Sequence, residues 1–223
     1  MLMLAKTGLM RASGSAAAAA GHSNLLFRSA QTNNTSQSTY TFTSLAIGTA
    51  AADRWVIVAF GAVQGQFPTS VTIGGVTATV VPTIQQFISL WTALVPTGTT
   101  ATIAVDVAEF GCGIAYWTVN MASDVVFDHD SGGSGLGAPS ATIDIPANGF
   151  AVTASFVLGA TTDATHTIDS SFTERAESYV NTSSFDGNLA YSDREVTTAV
   201  SAVTVTSTWS VSDSAYMVIA SWN

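Results

Sequence analysis

Residues 53–63 read DRWVIVAFGAV, and nine apolar or small residues follow Arg54 without a polar break. A half-buried strand alternates apolar with polar. A run this uniform, and this rich in Val, Ile, Phe and Trp, requires a central strand covered on both faces. Runs of the same kind return at 113–121 (GIAYWTVNM), 150–158 (FAVTASFVL) and 216–222 (YMVIASW). Other segments, such as 40–47 (YTFTSLAI) and 101–107 (ATIAVDV), alternate instead. In 71–81 (VTIGGVTATVV), Gly74-Gly75 fits a two-residue hairpin turn that needs positive φ. That turn sets Ile73 against Val76, Thr72 against Thr77 and Val71 against Ala78. A second hairpin is expected from 172–180 and 189–196, joined around Asp186-Gly187. About a dozen short strands with turn signals between them, and no helical periodicity, indicate a sandwich or barrel.

Charged residues make up only 9% of the 223, against 47% hydrophobic. Roughly 25% charged is ordinary, and disorder needs the opposite balance, so most of the chain folds. Ser, Thr, Asn and Gln must supply the polar surface, which suits a protein packed against copies of itself or others. The single Cys112 excludes an intramolecular disulfide and a multi-cysteine metal site; it reads as a buried thiol.

The net charge of −9 is unevenly spread. Residues 1–38 hold Lys6, Arg11 and Arg28 and no acid, while the remainder holds all 15 acids. A basic arm on an acidic body implies docking on an acidic partner, including a second copy of the body. Three cations are too few for a nucleic-acid face. Lys6 and Arg11 interrupt the apolar stretch a signal peptide would need, and no segment approaches the roughly 18 residues that span a bilayer. Ala16–Ala20 has room for one helical turn, and 29–39 is polar and featureless. The expected division is an extended arm over 1–38, with Lys6, Arg11 and Arg28 as partner-binding residues, and a sandwich body over 39–223. His22 falls in the arm, facing solvent or an interface.

No constellation in the sequence spells out a reaction. Asp128-His129-Asp130, with Asp124 nearby, has the composition of a metal site, but adjacent strand residues point to opposite faces. A solvated loop is expected there. Asp163, His166 and Asp169 recur at every third residue among threonines, in loop or strand. Residues 131–139 (SGGSGLGAP) read as a connector, because no helix follows to make a phosphate loop. Of the four glutamates, Glu174, Glu177 and Glu195 fall in one charged hairpin and Glu109 lies apart. Trp55, Trp91, Trp117, Trp209 and Trp222 sit inside apolar strands, as core residues do. No catalytic residue, cofactor or metal is expected.

The chain echoes itself. Residues 43–62 resemble 140–160, and 94–120 resemble 195–223, each half running strand, turn, buried strand, variable middle, alternating strand, buried strand. Two Greek-key halves of this kind make an eight-stranded jelly roll. The segments DRWVIVAFGA, VTIGGVTATVV, LWTALVPTGTTATIAV and GCGIAYWTV are similar to those of tailed-bacteriophage virion proteins. The resemblance covers roughly residues 40–122, and the rest by pattern. It implies a noncatalytic, jelly-roll-like antiparallel β-sandwich on a capsid, tail or fibre, with no catalytic residues to carry over. The Ala-rich basic arm has no counterpart in that resemblance. The expected function is therefore a virion structural component, a capsid decoration (cement) protein. Its partners would be copies of itself in a trimer and other virion proteins such as the major capsid protein, without membrane or direct nucleic-acid contact. A tail, baseplate or fibre component and a glycan-binding module are the alternatives.

Overall fold

The computed structural model describes residues 21–85, 87–159, 164–169, 171–182 and 185–223. The described chain is all β. Its first half contributes β1 (Ser23–Asn33), β2 (Gln37–Ala46), β3 (Arg54–Ala62), β4 (Ser70–Ile73), β5 (Val76–Thr77), β6 (Thr79–Gln85), β7 (Ile88–Leu94), β8 (Thr100–Glu109) and β9 (Cys112–Asn120). The second half contributes β10 (Asp128–Ser134), β11 (Ser140–Ile145), β12 (Phe150–Leu158), β13 (His166–Ile168), β14 (Thr173–Asn181), β15 (Asp186–Glu195), β16 (Val200–Trp209) and β17 (Ala215–Trp222).

The strands form two equivalent pairs of sheets. One inner sheet has the order β1-β9-β3-β7-β6 and the other β10-β17-β12-β15-β14. The outer sheets run β2-β8-β4-β5 and β11-β16-β13. Every pairing within them is antiparallel. The antiparallel β-sandwich expected from the sequence is present. The echo, however, does not divide one jelly roll into two Greek keys. Each half is a two-sheet sandwich with jelly-roll strand order, and the two inner sheets pack face to face.

Layer position explains the hydrophobic patterns. In β3, Val56, Val58 and Phe60 join the core shared with the outer sheet. Ile57 and Ala59 join the core shared with the other half. A strand with a core on each side has no polar face. Hence β3, β9, β12 and β17 are almost continuously buried, whereas β8 alternates exposed and buried along its length. The second half repeats the scheme. Ala151, Met217 and Ile219 meet Ile143 and Val205 of its outer sheet, while Val152, Val218 and Trp222 face the first half.

The halves interlock at a notch. Gly61 and Gly113 are paired across β3 and β9, and Leu189 of β15 sits over both. A Cβ on Gly61 would come within 2.2 Å of the Leu189 side chain, and one on Gly113 within 2.5 Å. Fully burying one leucine in such a seat is worth about 1.5–3 kcal/mol. The Gly74-Gly75 hairpin forms in the expected register, with φ of 60° and 80° at the two glycines. Val71, Ile73 and Ala78 are buried; Val76, at the turn, is exposed.

Two edge strands depart from the sequence reading. Ser23–Asn33 is not free arm: it is β1, paired along β9 with two register shifts. The body therefore begins before residue 39. The segment expected as solvated loop and Gly-rich connector begins with β10, which pairs with β17. Gly132 is needed there because a Cβ would lie 2.0 Å from the Ser140 carbonyl oxygen. The expected turn at Ala16–Ala20 lies outside the described residues.

Three phenols are enclosed by these layers. Tyr40, Tyr116 and Tyr191 are at most 2% exposed. Burial raises all three, Tyr40 to about 12. The folded state holds the neutral phenol, so this contribution to stability is intact below the ordinary tyrosine range near 10. It is lost as pH rises through about 12. In an alkaline ultraviolet titration these three tyrosines are expected to ionise together with unfolding, in one cooperative step. Smooth independent titration of all tyrosines in folded protein would contradict that.

Candidate functional site

The densest group of functional side chains lies where the outer sheet of the second half meets the edge of its inner sheet. His166 opens β13, and its side chain is 1% exposed. Glu174 and Glu177 project from β14, three residues apart, and both are exposed. Residues three apart on a regular strand face opposite sides. Here the register with β15 shifts between Glu174 and Ala176, so Arg175 is an extra residue. A bulge of this kind turns both glutamates to the same side.

His166 Nδ1 lies 2.6 Å from Glu174 Oε2, and the backbone N–H of His166 donates to Glu177 Oε1 at 3.2 Å. On its other side, Nε2 lies 2.8 Å from Ser207 Oγ. Ser207 Oγ donates to Ser155 Oγ at 2.6 Å, and Trp209 Nε1 donates to the same Ser155 oxygen at 3.0 Å. The Ser207 hydroxyl proton is thus committed to Ser155, and Nε2 must carry the hydrogen it shares with Ser207. Burial pulls the His166 ring down to about 4, partly offset by Glu177, and raises both Glu174 and Glu177.

Serine, histidine and glutamate in this order have the connectivity of a nucleophile, base and orienting acid. The arrangement does not suit nucleophilic attack. Ser207 has no exposed surface, Ser155 is 2% exposed, and the serine proton points away from the histidine. What faces solvent is the glutamate end. His166, Glu174 and Glu177 form a group of donor atoms lying within 4.8 Å of one another, and these residues could hold a metal ion.

A separate cleft of about 510 Å³ opens at one end of the seam between the halves. Gln64, Gln66 and Phe87 line it from the first half, and Phe185, Asp186 and Asp213 from the second. Buried Glu109 shapes its rim by accepting from the N–H groups of Gln64 at 2.8 Å and Gln66 at 2.6 Å. Burial raises the Glu109 carboxyl although those backbone donors favour its charge.

The other residues singled out in the sequence hold the fold. Asp128 and Asp130 share a face of β10, and their carboxylates accept from the backbone N–H groups of Asp144 and Thr142, each at 2.7 Å. His129 faces the other way and is exposed. Asp124 accepts from Thr92 Oγ1. Asp169 closes a local turn onto Ser171 and does not join His166, and Asp163 lies outside the described residues. Cys112 is fully buried, which pushes its thiol up, out of the reactive range. Trp91, Trp117, Trp209 and Trp222 are buried, and Trp55 is half-buried against the core shared by the halves. None of the four buried rings offers the exposed stacking face that sugar binding by tryptophan would use.

Lys6 and Arg11 lie outside the described residues. Arg28, expected on a free arm, is half-buried on β1, donates from Nε to Thr118 Oγ1 at 2.7 Å, and covers Gly48. His22 is likewise seated on the body: its ring packs 4.5 Å from Phe150 and contacts the Asn148 carbonyl and Glu195. Glu174 and Glu177 as partners of His166 escaped the sequence reading, which grouped His166 with its nearest aspartates. Comparison with family models, curated proteins and solved structures finds no match to this chain.

Proposed function

We propose that this protein is a noncatalytic structural component of a tailed-phage virion, a capsid decoration protein whose sandwich body sits on or between capsomers. The observation that carries the reading is the four-layer stack. Both inner sheets are covered on both faces, and most of the buried ionisable side chains are tied to backbone or to one another across strands. A closely packed stack transmits load with little compression, which suits a subunit that reinforces a pressurised shell. The low charge content and the resemblance of residues 40–122 to phage virion proteins support the same reading.

The basic N-terminal segment is the proposed clamp on a neighbouring subunit. Lys6 and Arg11 carry its charge, which suits docking on an acidic neighbour. Deleting residues 1–20 stops short of His22 and β1, so every contact described above is retained. The expected result is a folded protein that no longer enters particles. Quantitative mass spectrometry of purified particles checks this: hundreds of copies of the full chain per particle and loss of at least 90% on deletion are expected. A dozen copies or fewer would move the protein to the tail or a vertex, and would turn attention to the cleft between the halves as a receptor- or glycan-binding feature. No copies at all would end the virion reading.

A further inference from the structure

We propose that His166, Glu174 and Glu177 bind one divalent transition-metal ion, with zinc the best match to the donor set. The argument begins with protons. Nε2 of His166 carries a hydrogen because Ser207, held by Ser155, can only accept from it. The neutral ring therefore presents the Nδ1 lone pair toward Glu174 Oε2, only 2.6 Å away. Two acceptors at that distance need a positive centre between them, and the second carboxylate of Glu177 adds further negative charge. Protons can fill that role, and so can a cation.

The chemistry of the three donors selects the cation. One imidazole nitrogen with two carboxylate oxygens is a borderline set that suits zinc and its neighbours; calcium and magnesium prefer oxygen alone. A metal-bound histidine ordinarily donates its second N–H to a fixed partner, which sets the ring's tautomer and orientation. Ser207 already supplies that partner from outside the group, backed by Ser155 and by the indole of Trp209. The buried ring is fixed from behind, and the exposed glutamates leave an entrance from solvent. Coordination would replace the 2.6 Å contact, with Nδ1 and the glutamate oxygen parting by about 0.7 Å to the roughly 3.3 Å that separates two ligands on one tetrahedral zinc.

The position gives the ion a structural task. His166 belongs to the short edge strand β13 of the outer sheet, while Glu174 and Glu177 belong to the edge strand β14 of the inner sheet. A shared metal would join the two sheets at a corner. The first half has no histidine beyond His22, so the device belongs to the second half alone.

The test is a titration of metal-free full-length protein with zinc, followed by calorimetry and thermal melting. Binding of one ion per chain is expected. At a hundredfold excess over Kd, the melting temperature should rise by about 5–10 °C. Glu177→Gln, at an exposed position, should weaken binding at least tenfold and remove about half of that rise or more at the same zinc concentration. His129→Ala should change neither. In the wild-type protein, imidazole nitrogen spectra should show the His166 Nδ1 signal moving on zinc addition, a readout that needs no variant. Binding unaffected by Glu177→Gln, or zinc shifting His22 or His129 while His166 stays put, would overturn the site. So would the absence of saturation below millimolar zinc.

Discussion

Arg54→Met is expected to destabilise the protein by about 3–5 kcal/mol, the range for removing one member of a buried charged hydrogen-bond set. Arg54 is 2% exposed. Its guanidinium donates to six backbone carbonyls: Val95 from Nε, Ile47, Gly48 and Thr49 from Nη1, and Thr97 and Gly98 from Nη2. Those carbonyls belong to the two loops that carry the chain between outer and inner sheets of the first half, β2 to β3 and β7 to β8. The planar five-donor fork is what allows one side chain to serve both loops. Burial and nearby Arg28 lower its pKa, yet an arginine remains charged across the working range. Methionine retains the stem and none of the donors. The carbonyls then lose their partners while the strands still hold them close together. A urea midpoint and a thermal melt check the prediction, the latter falling by roughly 6–20 °C. Arg54→Lys should fall between, because an ammonium has three donors and no fork. A loss below about 1 kcal/mol would mean that water replaces the guanidinium and that the loops do not depend on it.

That role was hidden in the sequence, where Arg54 is only the polar residue at the head of a buried run. The run itself was legible, and it carried more than strand identity. Continuous burial in β3, β9, β12 and β17 marks the inner sheets, and alternation in β8 and β11 marks the outer ones. The four layers follow from that distinction. What concealed them was the loss of two edge strands. β1 and β10 each pair on one side only, are half-exposed, and carry either register shifts or glycines. Neither presents a period-2 pattern. Without its first strand each half counts as part of a roll, and two halves then sum to one jelly roll instead of two. The candidate site failed to appear for a related reason. One extra residue at Arg175 brings Glu174 and Glu177 to the same side, and nothing in the letters TERAESYV announces a bulge. His166 was visible as a candidate, but its neighbours in space come from the strand after the turn. Glu177 and Glu174 looked like a solvated face because, on a regular strand, they would be one.

Asp193→Ala is expected to cost a further 3–5 kcal/mol or thereabouts, through a different linkage. Asp193 lies on β15 and is 1% exposed. Its Oδ2 accepts from Trp117 Nε1 at 2.7 Å and from Arg175 Nε at 2.9 Å, while Oδ1 accepts from Arg175 Nη2 at 2.7 Å. Trp117 is on β9 of the first half and has no exposed surface, so this carboxylate is a polar tie across the apolar seam between halves. Alanine leaves the indole N–H without an acceptor, removes the partner of a half-exposed arginine, and opens a small void. Arg175→Ala should cost less, since that side chain is 36% exposed and solvent can take its place. A double-mutant cycle between the two should show coupling of about 1 kcal/mol or more, because the second truncation finds its bond already gone. Trp117→Phe in the Asp193→Ala background should be milder than in the wild type for the same reason. The unfolding transition itself should remain single. The apolar seam around Ile57, Trp117, Phe156, Leu189 and Trp222 outlasts the loss of one carboxylate, and neither inner sheet can expose that face alone. Two separate transitions in Asp193→Ala would instead mean that the halves are independent folding units joined chiefly by this tie. The proposed load-bearing role would then rest on one side chain and not on the stack.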